Sequence, residues 1–544
     1  MKLETLLTSD YLKAYESVWP QKTIIDYLKN AIERNPNKPA IIDRNSRYTY
    51  EELGKMVDRV ALGLLKLGIK KNDVVSLQLP NWNEFIILHY AITRIGAITN
   101  PLIPIYRERE IAHMVGMVES KVLIIPDRFR NFNYIEMVES LLPNWPFLEH
   151  VFVIGDDVPQ NMQSIQYLFD TPWETKKDPS ILDEIILDPN DVTEIIFTSG
   201  TTGKPKGVMH THNTLCVSSD YWIERLNLTD QDVMFMASTF AHQTGFGYGV
   251  RLPTHYAGTA VYQDVWNPSE FLQLVEKEKI TFTAGATPFL QDTIQSPDIQ
   301  KYNLDSLRAF VALGAPIPRT LVREAKNLVN FSILSGWGQT EDGLVTLTKL
   351  DDQEDKLINT DGLAFPGMEV KVVDSNFDEL PPNEEGNLLC KGPALFIGYY
   401  KQMEQTQSEF YNGWFITGDR AIMDEDGYIR ISGRNKDIII RGGENIPVAY
   451  IENILYEHPD VLGAQIVAMP DPRLQEKACA FIGMKQNTAP LTMETLQAFL
   501  LSKGVAKQYW PERLEIIENF PRTPSGKIQK FKLREMISET INRT

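Results

Sequence analysis

The junction at residues 194–207 most constrains how this chain folds. An apolar run, Ile195-Ile196-Phe197, passes directly into Thr198-Ser199-Gly200-Thr201-Thr202-Gly203-Lys204-Pro205-Lys206-Gly207. A short apolar run bounded by turn residues reads as a buried strand, so the loop is delivered from a strand end. Hydroxyls and unencumbered glycine amides can wrap polyphosphate oxygens, and lysines offset charge that is costly to desolvate. The loop departs from the nucleotide P-loop, which needs glycine where Thr198 stands and Ser or Thr where Pro205 stands. A plain surface turn is the bland alternative, since Gly, Ser, Thr and Pro mark turns everywhere.

The 544 residues exceed the span of about 250–300 that one core serves, so several packed units are expected. Apolar runs at 74–79 and 121–125 alternate with helical patterns such as 82–94, which indicates wound parallel sheets with covering helices. Between about 360 and 435 short strands alternate with Gly, Asn-Gly and Asp-Gly turns, including Asn412-Gly413 and Asp426-Gly427, predicting a small β-rich subdomain. Beyond it the pattern predicts a strand at 437–440, a helix through 450–454, strands near Ala464 and Ala478, and a helix over 493–502 with Gly504 beyond its end. The expected class is α/β. A large N-terminal domain of wound, mostly parallel sheets with a small β-rich subdomain (1–433) is joined through a hinge (434–436) to a smaller, mobile α+β C-terminal domain (437–544).

The formal charge of −18 argues against a nucleic-acid binder, whose affinity rests on clustered Lys and Arg. The longest membrane-like run, 85–98, contains His89 and Arg94 and falls short of the roughly 20 residues needed to span, so a buried helix is expected. No N-terminal signal is expected. Cys216, Cys390 and Cys479 are widely spaced and suggest neither disulfides nor zinc, which fits a reducing cytoplasm. His210 and His212 lack a Cys or acidic partner at ligand spacing and are not read as a metal site.

Four further strings follow in order: Gly336-Trp337-Gly338-Gln339-Thr340-Glu341, Gly413-Trp414-Phe415-Ile416-Thr417-Gly418-Asp419, Gly433-Arg434-Asn435-Lys436-Asp437, and Pro521-Arg522-Thr523-Pro524-Ser525-Gly526-Lys527. With the phosphate loop, they make nearly the whole chain resemble the adenylate-forming superfamily of acyl-CoA synthetases, aryl-acid adenylating enzymes, peptide-synthetase adenylation domains and beetle luciferases. The overall pattern is most similar to cyclohexanecarboxylate-type acid–CoA ligases. The resemblance implies ATP, Mg²⁺ and CoA, and two half-reactions: a carboxylate attacks the α-phosphate and releases pyrophosphate, then a thiol displaces AMP.

The resemblance also implies roles. Thr198, Ser199, Gly200, Thr201, Thr202, Gly203 and Lys204 hold phosphates, Glu341 takes Mg²⁺, and Thr340 bonds the α-phosphate. Trp337 packs against adenine, with Gly314-Ala315-Pro316 flanking the base and Gly336, Gly338 and Gln339 in the same nucleotide-binding string. A core tryptophan is the alternative for Trp337. Asp419 and Arg434 bind ribose, Lys527 is the mobile catalytic lysine, and Lys436 marks the hinge. Arg441, Gly442, Gly443 and Glu444 flank a pantetheine tunnel. His242 gates the acyl pocket, whose wall continues through Gln243, Thr244, Gly245 and Phe246.

Acetate-specific relatives carry a second Trp where this chain has Gly338, so Gly338 is read as leaving room for a larger acid. The segment 283–290 reads as a wall ending in apolar bulk, suited to a ring or medium chain. Gln243 replaces the Asn common in dihydroxybenzoate-adenylating enzymes, which weakens that substrate. The expected activity is an ATP-dependent acid–CoA ligase acting on an alicyclic, aryl or medium-chain acid. Loading a carrier-protein thiol is the runner-up; a non-catalytic nucleotide-binding regulator and a luciferase-type oxygenase are disfavoured. The expected partners are a small-molecule acid and CoA or a carrier protein, with no nucleic acid and no integral membrane segment; a homodimer is compatible with all of this.

Overall fold

The computed structural model describes residues 3–198, 205–314, 317–437, 439–441, 444–446, 448–471, 473–523 and 526–543. Two large sheets dominate the N-terminal part. The seven-stranded one runs Lys206–Thr211, Val192–Thr198, Ile98–Pro101, Val74–Leu77, Val122–Pro126, His150–Ile154 and Gln163–Ser164. Its pairings are parallel except at the Lys206–Thr211 edge, where Thr198 pairs antiparallel with Lys206. The nine-stranded sheet has a parallel centre, Ser332–Gln339 through Pro39–Ile42, and antiparallel edges.

One apolar core takes side chains from both sheets and from helices Ile24–Arg34, Tyr50–Lys66, Asn83–Arg94 and His212–Leu226. In Asn83–Arg94 every residue but Glu84 is buried. The apolar run at 85–98 is thus a core helix that turns at Gly96 into the strand Ile98–Pro101, rather than one continuous helix. Helix His212–Leu226 begins at a capping box in which Thr211 and Thr214 satisfy each other's amide, fixing where the strand carrying His210 ends.

The expected β-rich region is an antiparallel sheet of Glu369–Val373, Glu385–Lys391, Phe410–Tyr411, Trp414–Met423 and Ile429–Arg434. Asn412 and Gly413 have φ of 48° and 81° between the paired Tyr411 and Trp414, the left-handed pair that a tight hairpin requires. After Arg434 a single 3₁₀ turn, Asn435–Asp437, leads into a different sheet. The sequence predicted a strand at 437–440; the strand is Ile439–Arg441, because Asp437 is still in the turn, where its carboxylate accepts from Arg534 Nη2 at 2.5 Å. Strands Glu444–Ile446, Val461–Asp471, Gln475–Met484 and Arg513–Ile516 and helices Val448–Leu455, Met493–Ser502 and Lys530–Arg543 build this part around cores of its own. Among the described residues no helix is long and apolar enough to cross a membrane.

Candidate active site

Strand Ser332–Gln339 carries the densest cluster of the predicted residues. Trp337 is buried in the main core, and its indole Nε1 donates to Asp419 Oδ2 at 2.8 Å. Gln339 Nε2 donates to the same oxygen at 2.9 Å and to Thr417 O at 2.8 Å. Arg434 Nε meets Asp419 Oδ1 at 2.9 Å. A carboxylate only 3% exposed is thereby held by three donors from two sheets, which compensates its desolvation. Trp337, Gln339, Asp419 and Arg434, distant in sequence, form one constellation.

Gly336 and Gly338 serve strand pairing. A Cβ on Gly336 would stand 2.9 Å from Thr346 O, and one on Gly338 only 1.8 Å from Gly343 O, where the register slips between Trp337 and Gly338. The reading of Gly338 as vacant space for a larger acid is corrected here: the missing side chain admits the neighbouring strand's backbone.

Beyond the strand, Glu341 is 7% exposed, and its carbonyl accepts from Phe396 N at 2.7 Å. Its Oε1 lies 3.0 Å from the Tyr399 hydroxyl, which also lies 2.6 Å from Glu409 Oε2. Lys206 Nζ donates to the Tyr399 oxygen at 3.0 Å and to Glu409 Oε1 at 2.6 Å. Tyr399 has one proton for two carboxylates, and burial raises the Glu341 pKa above the usual carboxylate value. Thr340 is oriented by His210, whose Nε2 donates to its carbonyl at 2.7 Å. His212 accepts from Ile24 N through Nδ1, so both histidines have structural partners. A buried carboxylate beside a hydroxyl residue suits Mg²⁺, a hard cation that keeps waters and phosphate oxygens as its other ligands; among the described residues there is no cluster of three metal-ligating side chains.

Asp342 is fully buried, accepts from Gln339 N at 2.5 Å, and faces the Cys390 thiol at 3.5 Å. Desolvation, with Glu341 and Asp419 nearby, pushes its pKa well up.

The C-terminal part meets the N-terminal part at Gly314 and at residues 286–291. Lys527 follows Gly526, whose φ is +84°, in a turn where Lys527 N donates to Thr523 Oγ1 at 2.9 Å. The lysine reaches Gly314, which has φ +77°, and a Cβ on Gly526 would lie 3.5 Å from Pro288 Cγ. Gln291 Nε2 also donates to Leu462 O at 3.0 Å. The tip of segment 283–290 therefore faces the C-terminal part, while Thr283 and Phe289 line a small cavity with Phe235, Ser238 and Trp266. His242 begins the predicted acyl wall; loss of surrounding water, then the charge of Lys527, push its pKa down to about 3. Gln243 is buried and precedes a helix of wide, five-residue turns, Thr244–Arg251, which contains Thr244, Gly245 and Phe246.

Thr198 ends its strand where the sequence placed it. Ser199, Gly200, Thr201, Thr202, Gly203, Lys204, Ala315, Pro316, Gly442 and Gly443 lie outside the described residues, as do the side chains of Lys436 and Glu444. Arg441 is engaged by Glu512 Oε1 at 2.5 Å and Trp510 O at 3.3 Å. Sequence reasoning missed Tyr399, Glu409 and Asp342; Glu409 meets Lys206 across 203 positions, a pairing that no local pattern announces.

Residues 28–400 match the AMP-binding enzyme family, and 450–527 match the AMP-binding enzyme C-terminal domain. The chain is 36% identical to the medium-chain fatty-acid–CoA ligase of Escherichia coli (strain K12), across 99% of this chain and 95% of that protein. It is 33% identical to the 2,3-dihydroxybenzoate-AMP ligase of Bacillus subtilis (strain 168), across 96% and 95%. Its fold matches ATP-bound MatB from Rhodopseudomonas palustris with a TM-score of 0.85 at 26% identity, across 95% of this chain and 100% of that one. The chain belongs to the AMP-binding enzymes, the adenylate-forming superfamily. Its reaction class is that of the AMP-forming acid–thiol ligases, which use ATP and CoA.

Proposed function

We propose that this chain converts an alicyclic, aryl or medium-chain carboxylic acid to its CoA thioester in the cytoplasm, through an acyl-adenylate. The observation that carries the reading is Lys527, on the C-terminal part, set against Gly314 and beside His242. A cation there meets both the carboxylate and the α-phosphate.

Two anions must approach each other in the first half-reaction, so stabilisation must come from fixed donors and cations. Lys527 supplies a compact ammonium that follows charge developing on the α-phosphate. Asp419, held by Trp337, Gln339 and Arg434, accepts from the ribose hydroxyls, and an indole face of Trp337 lies against adenine. The 198–204 loop grips the β- and γ-phosphates. Glu341 would hold Mg²⁺, which would supply neutralisation of phosphate charge, while Thr340 bonds the α-phosphate. His242, kept neutral by its lowered pKa, separates the acid from the thiol path without adding a charge.

For the second half-reaction we assign the hinge to 434–436, between domains 1–433 and 437–544. The 3₁₀ turn at Asn435–Asp437 is short enough to redirect the C-terminal part by a few dihedral changes. That rotation withdraws Lys527 and brings Gly442 and Gly443 to the cleft, where pantetheine enters. A carboxylic-acid panel scored by pyrophosphate release, with CoA, with a pantetheinylated carrier protein and with neither, tests the reading. Thioester formation with CoA is the expected result; transfer to the carrier alone, or no pyrophosphate from any acid, overturns it.

A further inference from the structure

The acyl-wall helix holds a polar notch that the reaction does not use. Gln243, Gly247 and Arg251 follow one another at four-residue steps. A Cβ on Gly247 would stand 3.4 Å from Arg251 Nη2 and 3.8 Å from Gln243 Nε2, so both side chains flank the space that this glycine leaves. Arg251 Nη1 is paired with Glu194 Oε2, and the guanidinium lies 4.3 Å over the Phe246 ring. Arg251 and Gln243 are 4% and 6% exposed and Glu194 is fully buried, yet Arg251 Nη2, Gln243 Oε1 and Glu194 Oε1 have no hydrogen-bond partner.

Buried polar atoms are rarely left unpaired, because each forfeits its hydration without compensation. Unpaired atoms on Arg251 and Gln243, the two side chains that flank Gly247 on the helix carrying the acyl wall, and on Glu194, the partner of Arg251, call for a ligand group. The Arg251–Glu194 pair is neutral overall, so neither an anion nor an ammonium gains from net charge. A group that both accepts, from Nη2, and donates, to Gln243 Oε1, satisfies the notch. We propose that the notch is a subsite for a hydroxyl or carboxamide carried by the acid at a position remote from its carboxylate. This rests on His242–Phe246 being the acyl wall.

The test measures pyrophosphate release by the full-length protein with matched acids: octanoate against 8-hydroxyoctanoate, hexanoate against 6-hydroxyhexanoate, and benzoate against 3- and 4-hydroxybenzoate. In the wild type, at least one hydroxylated acid should exceed its parent by about 10-fold or more in kcat/KM, since a site built for a hydroxyl rejects the analogue lacking it. Gly247→Ala places a methyl in the notch, and Gln243→Leu removes the acceptor. Each should lower that ratio about 10-fold, through KM of the hydroxylated acid. The ratio is measured within one protein, so partial loss of active enzyme cancels. Preference for every parent acid, or ratios unchanged in both variants, shows that the notch holds only buried water and overturns the subsite. Pyrophosphate release from none of the acids overturns the ligase reading itself, a separate outcome.

Discussion

Lys527 lies against Gly314, with its Cε and Nζ 3.2 and 3.6 Å from the point that a Cβ on Gly314 would occupy. Gly314 sits at φ +77°, where glycine alone is unstrained, so the same residue permits the turn and admits the lysine. On the proposed mechanism the lysine acts only in this arrangement of the two parts. Lys527→Ala should therefore lower adenylation by at least about 100-fold, the scale of removing one charged or hydrogen-bonding group from a desolvated transition state, while thioester formation from supplied acyl-adenylate stays near wild type. Equal losses in both half-reactions, measured separately, would contradict this.

On the proposed assignment of Gly442 and Gly443 to the pantetheine path, the glycine pair bears on the other half-reaction. Gly443→Leu should block CoA-dependent turnover and leave pyrophosphate release largely intact, because a branched side chain obstructs the pantetheine path. Unchanged apparent affinity for CoA would place the thiol route elsewhere.

Gly338 leads to a stability prediction. Since a Cβ there meets Gly343 O at 1.8 Å, even Gly338→Ala should cost about 1–3 kcal/mol by forcing the two strands apart, visible as a lower denaturant midpoint. Gly338→Trp should fail to accumulate as folded protein rather than turn the enzyme toward acetate. A folded Gly338→Trp variant with altered acid preference would restore the pocket-depth reading.

Tyr399→Phe removes the proton shared between Glu341 and Glu409 but keeps the Lys206–Glu409 pair. Leaving buried carboxylate oxygens unmet costs about 1–3 kcal/mol. Adenylation should fall about 10-fold, and the melting temperature should drop. Mg²⁺ titration of pyrophosphate release should show a shifted half-saturation, whereas an unshifted one would make Tyr399 purely structural.

Asp342 sets a pH dependence. Its folded-state pKa is raised, so the fold prefers the protonated acid; the associated stability is full below the unfolded value near 4 and is lost as pH rises toward the folded value. Asn mimics the protonated form. The melting temperature of Asp342→Asn relative to wild type should therefore climb between pH 5 and pH 8, and a flat difference would show that Asp342 is ionised in the fold throughout.

Contiguous strings were the legible part of this site. Asp419, Glu341, Thr340 and Lys527 each sit in a run whose neighbours announce it, and the wound sheets followed from apolar runs alternating with helical patterns. What was not legible depends on pairing across distance. Lys206, Glu341, Tyr399 and Glu409 share one hydroxyl, yet they belong to three separate stretches of chain. Gly338 was misread because a missing side chain looks the same in sequence whether it opens a pocket or lets a strand pass. Trp337 was read by its face, and the structure adds its edge: the indole N–H fixes Asp419.

The helix Thr244–Arg251 carries glycines at 245, 247 and 249, and they are not equivalent. A Cβ would meet Thr239 O at 2.1 Å from Gly245 and Met236 Cγ at 2.6 Å from Gly249, whereas from Gly247 it has 3.4 Å of clearance. Mutation on this helix is thus channelled. Two of its glycines are closed to replacement by neighbours that have nothing to do with the acid, and the third can take a methyl within ordinary contact distance. A lineage changing its diet of acids through this wall would find its accessible steps at 247, and drift at 245 or 249 would be removed as misfolding before any new substrate was tried.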